Sequence, residues 1–310
     1  MNNADRIDVH THVIPPFWGE ALPQHGGDPS GWNLPSWSPE SALRFMDANG
    51  IHKSVLSLTA PGVAGWDGTH RVDMARRVNE YVAELAAGPE DRFGHFAVLP
   101  LPDVEGAVAE AEYALDEMKA DGLVLLSNYE GKYLGDPSFE SLWAALNERS
   151  AVVFVHPAHP IMNNLQGVPG PVVDYPFDTT RSAVDMAVHG ILERYPKVRI
   201  ILSHAGGFVP YAAMRFAQLL PGLYPEGPDA ESLIATLQKF YWDTALSSGP
   251  YALRTLLRFA GPDKILFGSD YPYAPEPIAA EFTRLLDEQS DLSAEQLVAI
   301  NHGNAAKLFN

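Results

Sequence analysis

The sequence predicts a (β/α)8 TIM barrel with an insertion after its first strand. Three observations carry that expectation. Eight short apolar runs recur along 310 residues, helix-length amphipathic segments separate them, and no shift in composition divides the chain. Near-continuous apolar runs suit strands buried on both faces of a parallel sheet, and the length suits one α/β barrel. A doubly wound sheet is the second architecture that the same alternation allows. The expected domain is a single one, spanning residues 1–310.

Taken in order, the first run is "RIDVHTHV" (Arg6–Val13), stopped by the proline pair Pro15–Pro16. The stretch Pro15–Glu40 that follows is rich in proline, glycine and tryptophan. Loops of this length in compact domains are usually functional, so it is expected to border the active site, with its three tryptophans favouring order. Strands 2 to 4 are read as Lys53–Ala60, Phe93–Pro100 and Gly122–Ser127. Strands 5 to 8 are read as Val152–Pro157, Arg199–His204, Phe240–Leu246 and Ile265–Asp270. Helical periodicity appears over His70–Ala87, Val104–Ala120, Ser138–Arg149 and Thr180–Tyr195. The tail from Leu292 reads as two short helices, the second capped near Asn301 or Asn304.

Composition narrows the function. A net charge of −18, from 39 acidic and 21 basic residues, repels nucleic acid and anionic membranes, so neither is an expected partner. The chain has no cysteine, which leaves histidine and carboxylate as the only strong metal ligands and removes thiolate chemistry. No leader pattern and no membrane-length apolar run is visible, so the expectation is a cytoplasmic enzyme.

Barrels of this class build their active sites at the C-terminal ends of the strands. His10 and His12 end strand 1 and share a side, because strand side chains alternate with period two. His156 ends strand 5, His204 ends strand 6 and Asp270 ends strand 8. Two imidazoles at i and i+2 on a rigid strand can grip one ion, with His156 and Asp270 completing the shell. Nitrogen and oxygen donors suit Zn2+, the first choice, or Mn2+. The expected cofactor is therefore one divalent ion, with no organic group. Strand 4, "GLVLLSN", offers no lysine to bridge a second ion. His52, His70, His95, His189 and His302 lie before strands or in helical patterns and read as surface or packing residues. His25 and His159 lie near the expected pocket without an assigned role.

The segments "DVHTHVIPP", "VVFVHP", "ILSHAGG" and "ILFGSDYPY", in this order and over nearly the whole chain, resemble the amidohydrolase superfamily. Its amidohydrolase-2 branch, of the aminocarboxymuconate-semialdehyde and 6-methylsalicylate decarboxylase type, is the nearest likeness. The resemblance implies His10, His12, His156 and Asp270 as metal ligands and His204 as general acid/base, with the glycines after it allowing close approach to substrate. It also implies a homodimer in which Arg215, eleven residues beyond His204, meets the neighbour's substrate carboxylate. One departure bears on substrate. The insertion contains no arginine, which points away from a dicarboxylate and toward a phenolic monoacid. The implied reaction is metal-dependent, non-oxidative decarboxylation of a small ortho-hydroxybenzoate-like acid, with His204 or Asp270 giving the proton. The alternative is hydrolysis of an ester, lactone or amide at the same mononuclear site, and a non-catalytic scaffold is the third reading.

Overall fold

In the computed structural model, which describes residues 5–88, 90–223, 228–288 and 292–309, every apolar run contributes a strand. These are β1 (Arg6–His12), β2 (Ile51–Ser57), β3 (Phe93–Val98) and β4 (Gly122–Leu126), then β5 (Val152–His156), β6 (Arg199–Leu202), β7 (Tyr241–Asp243) and β8 (Ile265–Leu266). Among the described residues they form one eight-stranded parallel sheet in sequential order. The sheet closes because the chain beyond β8 bonds back to β1. Val9 N donates to Phe267 O at 3.0 Å, Asp270 N to His10 O at 2.8 Å and His12 N to Tyr271 O at 2.8 Å. Buried Asp8 reinforces this seam by accepting from Ser269 Oγ at 2.6 Å.

The last two strands are shorter than the apolar runs suggest. After β7, Asp243 Oδ1 accepts the backbone N–H of Ala245 at 3.0 Å, turning the chain out of the ladder. After β8 the backbone reaches φ 61° at Asp270, a left-handed conformation incompatible with a continuing strand.

Inside the barrel, Phe154 stacks on Phe96 with ring centroids 5.7 Å apart, and Phe309 from the tail lies 5.9 Å from Phe96. These rings fill the lower barrel, so the polar side chains are confined to the opposite, C-terminal rim. Helices Gly68–Ala86, Val104–Asp116, Glu140–Glu148 and Gly170–Val188 cover the outside. The last begins ten residues before the expected Thr180. Pro171 is tolerated there because the first turn needs no N–H donor. The tail also departs from expectation. Ala294–Val298 runs through a π-helical turn, Ala299–Gly303, directly into Asn304–Phe309. Neither asparagine caps a helix, since both are committed to the barrel. Asn301 Oδ1 accepts from Arg6 Nε at 3.1 Å, and Asn304 Nδ2 donates to the carbonyls of Pro262 and Ile265. Residues 1–4 and 310, the ends of the expected domain, lie outside the described residues.

The insertion is built rather than loose. It forms a helix, Pro16–Ala21, and a 3-10 turn, Leu22–His25, before a coil that Ser38 ends by capping the helix Pro39–Ala48. Trp18 is fully buried and donates from Nε1 to Gly62 O at 2.9 Å. Among the described residues no helix is long and apolar enough to cross a membrane.

Candidate metal centre and substrate cavity

Strand alternation and closure at the β1–β8 seam bring His10, His12, His156 and Asp270 together. One ligand atom from each lies within 4.8 Å of the others, and all four residues are buried. His10 Nε2 sits 3.1 Å from His12 Nε2, and Asp270 Oδ1 is 3.3 Å and 3.1 Å from those two nitrogens.

The hydrogen bonds around the rings decide which nitrogen faces the centre. Asp243 Oδ2 takes His10 Nδ1 at 2.6 Å. Ser57 Oγ faces His12 Nδ1 at 3.0 Å and donates its own proton to Thr11 O, so it accepts from the imidazole. Pro157 O takes His156 Nδ1 at 2.8 Å. In neutral rings of His10 and His12 the Nε2 lone pair is thus left for the centre, the arrangement in which an outer oxygen fixes a metal-binding tautomer; His156 Nε2 also has the Thr59 hydroxyl 3.1 Å away. Two such lone pairs 3.1 Å apart repel unless a cation lies between them. The donor set therefore fits a divalent ion.

The electrostatics agree. Burial lowers His12, and burial together with His12, His10 and His204 holds His156 well below the usual imidazole range. Burial would also lower His10, but Asp243 and Asp270 outweigh it and push it up to about 10. Burial would raise Asp270, yet His10's charge and hydrogen bonds from His10, His12 and His204 hold it well below the usual carboxylate range. The cluster is arranged around a positive charge.

His204 stands beside this group. Its Nε2 lies 3.3 Å from Asp270 Oδ2, and its backbone N donates to Asp243 Oδ1 at 2.8 Å. His204 and Ala205 both have positive φ, 52° and 55°, followed by Gly206 and Gly207. What the structure shows for these glycines is close packing. A Cβ on Gly206 would lie 2.2 Å from the Trp242 ring, and one on Gly207 2.0 Å from Pro176 O. Their bareness lets the turn that carries His204 pack onto β7 and the helix Gly170–Val188.

Above the cluster opens a cavity of about 230 Å3 lined by His156, His204 and Asp270. Trp32, Val172, Tyr175, Leu246, Tyr273 and Ile278 wall it, with Asp28 and Ser30 from the insertion. No lysine or arginine lines it. Arg215 is exposed on the outer face of the helix Val209–Leu223 and is not brought to this cavity within its own chain. His25 stacks on Trp66 instead, with centroids 4.4 Å apart, and His159 bonds Asn164 Oδ1 at 2.6 Å. His52, His70, His189 and His302 are on the surface, and His95 is buried in β3 away from the cluster. Sequence reasoning missed Asp243, Ser57 and Asp28. Asp243 was findable, since it is a lone acid at the C-terminal end of an apolar strand. Asp28 was not, because nothing local says where a coil residue of the insertion will point.

The amidohydrolase family profile matches residues 7–310. A 6-methylsalicylic acid decarboxylase from Penicillium expansum is 42% identical over 313 residues, covering 98% of this chain and 96% of its own. A crystal structure of amidohydrolase II superposes with a TM-score of 0.92 at 34% identity, over 98% of this chain and 99% of that one. In fold, a dihydroxybenzoic acid decarboxylase from Polaromonas sp., solved with bound manganese and 2-nitroresorcinol, matches with a TM-score of 0.80. Its identity is 24%, over 98% of this chain and 96% of that one.

Proposed function

The chain belongs to the amidohydrolase family, within its aromatic-acid decarboxylases, and from that premise we propose that it removes CO2 from an ortho-hydroxybenzoate of the 6-methylsalicylate kind. The observation that carries this reading is the cavity. His156 and Asp270 of the His3Asp cluster line it, its walls are mostly aromatic and aliphatic with Asp28, Ser30 and Thr59 among them, and among the described residues no lysine or arginine lines it. Flat apolar walls suit a ring with one small alkyl substituent.

His10, His12, His156 and Asp270 would hold one divalent ion. When bound, such an ion supplies positive charge and a template for the carboxylate and ortho oxygen of the substrate. Strand 4 carries no lysine to bridge a second. Three imidazoles and a carboxylate suit either Zn2+ or Mn2+; the manganese of the Polaromonas enzyme makes Mn2+ the first ion to load.

Asp270 Oδ1 faces His10 and His12 and its Oδ2 faces His204 Nε2, and His204 is the imidazole outside the ligand set that lines the cavity. His204 therefore holds the proton that moves to the ring carbon bearing the carboxylate. The C–C bond to the carboxylate then breaks, its electron pair restores the aromatic ring, and CO2 leaves. Water reprotonates His204. Val172, Leu246 and Ile278 keep the ring flat against Trp32 and Tyr273 and exclude water from the apolar end.

The same reading treats residues 1–310 as one barrel domain with the 15–40 insertion as a pocket wall, working in the cytoplasm as a homodimer. Arg215 of one subunit would meet the substrate carboxylate in the other. Its helix exposes Tyr211, Met214 and Leu219, apolar side chains of the sort that interfaces cover. Mixing Arg215→Ala with His204→Ala chains should restore part of the lost activity. No recovery after verified subunit exchange would return Arg215 to the surface of its own chain.

The test of the reaction is CO2 release from 2-hydroxybenzoate and its 6-methyl derivative by Mn- and Zn-loaded enzyme. Transfer of 18O from solvent into a carboxylate product of an ester or amide, with no CO2, would replace it by hydrolysis.

A further inference from the structure

The cavity holds an ionisable group outside the His3Asp cluster. Asp28 lines it from the insertion, on the same wall as Ser30 and Trp32. Its position is fixed at both ends of the turn. Ser30 N donates to Asp28 Oδ1 at 2.8 Å, Gly170 N to Ser30 O at 2.8 Å, and Asn164 Nδ2 to Pro29 O at 3.1 Å. The insertion is thereby stapled to the start of the helix Gly170–Val188 and to the loop before it.

Among the described residues the cavity lining has no lysine or arginine to pair with this carboxyl group. Burial raises its pKa, against hydrogen bonds from Ser30 and the charge of nearby His159, whose Nε2 is turned to Asn164 Oδ1. The phenols of Tyr175 and Tyr273 line the same cavity. Burial first, then the charge of Asp28, raises both well above the usual phenol range, so they remain neutral. Both phenols also feel Asp270. The cavity thus carries a cation-demanding cluster and, from the insertion, a separate carboxyl with no lysine or arginine in the lining around it.

We propose that Asp28 is a specificity-determining residue that rejects a second anionic substituent on the far edge of the substrate ring. A ring whose carboxylate and ortho oxygen point at the His3Asp cluster presents its remaining positions to the rest of the lining, Asp28 included. A second carboxylate that reaches Asp28 meets a like charge with no lysine or arginine in the lining to offset it. Like charges so juxtaposed cost several kcal/mol across an interface. Hydrogen, alkyl and hydroxyl substituents face no such penalty, and a hydroxyl can donate to the Asp28 carboxylate. The substrate class is therefore the aromatic monoacid with neutral substituents. This deepens the decarboxylase reading, on which it rests.

Two measurements separate the two ideas. Benzoate and isophthalate, neither able to react for want of an ortho hydroxyl, are titrated calorimetrically into the Mn-loaded protein. Wild type should bind benzoate at least ~10-fold more tightly than isophthalate. Asp28→Asn and Asp28→Ala should shrink that ratio toward one, and Asp28→Glu should restore it. In turnover, the kcat/KM ratio of 2-hydroxybenzoate to its 5-carboxy derivative should follow the same order. A wild-type ratio near one overturns the role of Asp28, whether or not the variants fold. So does equal weakening of both ligands by Asp28→Asn, the mark of a loop that only lost its shape. Failure to release CO2 from any hydroxybenzoate, with the binding ratio intact, sinks the decarboxylase reading and leaves the charge selection standing.

Discussion

Two sets of buried imidazoles in this molecule behave in opposite ways. His10, His12 and His156 point into the barrel at its C-terminal rim, each with one ring nitrogen bonded to an outer oxygen and the other aimed at a common centre beside Asp270. His95 is as deeply buried, yet it lies on the outer face of β3, opposite Phe96, and neither ring nitrogen has a hydrogen-bond partner. The first set is oriented by its surroundings and the second only packed by them. Burial alone does not mark a functional histidine; a fixed tautomer directed at a shared point does.

The sharpest way to break that contrast is to truncate one histidine of each kind. His12→Ala is expected to strip the bound ion, read by elemental analysis after dialysis, and to drop turnover to that of the metal-free protein. His95→Leu should retain full metal content. If His12→Ala keeps one ion per chain, the rim cluster is not the centre described here.

Next in size is His204, which borders the cluster without belonging to it. A general acid contributes about 10²–10⁴-fold, so His204→Asn should lose that much of kcat while keeping its metal. Loss of the ion would make His204 a ligand, and a loss of only a few-fold would remove it from the proton path.

Asp243 tests the outer layer. Its Oδ2 fixes the His10 ring and its Oδ1 holds the backbone of His204. Outer-shell partners of this kind typically cost about 10–100-fold in metal affinity when changed. Asp243→Asn should fall in that range, measured by competition with a chelator, and excess metal should restore part of the activity. Unchanged affinity would show that His10 keeps its orientation by packing against Phe154 alone.

The contrast also explains what the sequence could and could not tell. The barrel was legible because eight apolar runs and their spacing record burial on both faces of each strand. The four converging residues were legible because closure puts every strand end on one rim, so position along a strand translates directly into position in space. The ends of β7 and β8 were not, since side-chain bonds of Asp243 and the left-handed turn at Asp270 end those strands before the apolar pattern does. The tail failed for a similar reason. Asn301 and Asn304 look like helix caps in one dimension, but their amides bond Arg6 and the carbonyls before β8. Asp28 lies in a coil whose path is set by contacts with Asn164 and Gly170, more than 130 residues away.

The smallest expected effect concerns His95 itself. Burial depresses this imidazole to about 4 from an unperturbed 6.5. Between those values the unfolded chain binds a proton that the folded chain refuses, so stability is full above about pH 6.5 and falls as pH drops toward 4. Integrated to pH 4.5, the loss from this one group is roughly 2–3 kcal/mol. His95→Leu removes the titration while filling similar space, and it replaces two unpartnered polar atoms with apolar ones, which tends to be neutral or stabilising. At pH 7 the variant should therefore unfold in urea at or slightly above the wild-type midpoint. At pH 4.5 it should be the more stable by about the amount that wild type loses. Acid also protonates the rim histidines and releases any ion, but it does so in both chains, so their difference isolates His95. Parallel losses of stability in the two proteins would mean that His95 finds a partner or water in solution, and that the two sets of imidazoles differ less than their surroundings imply.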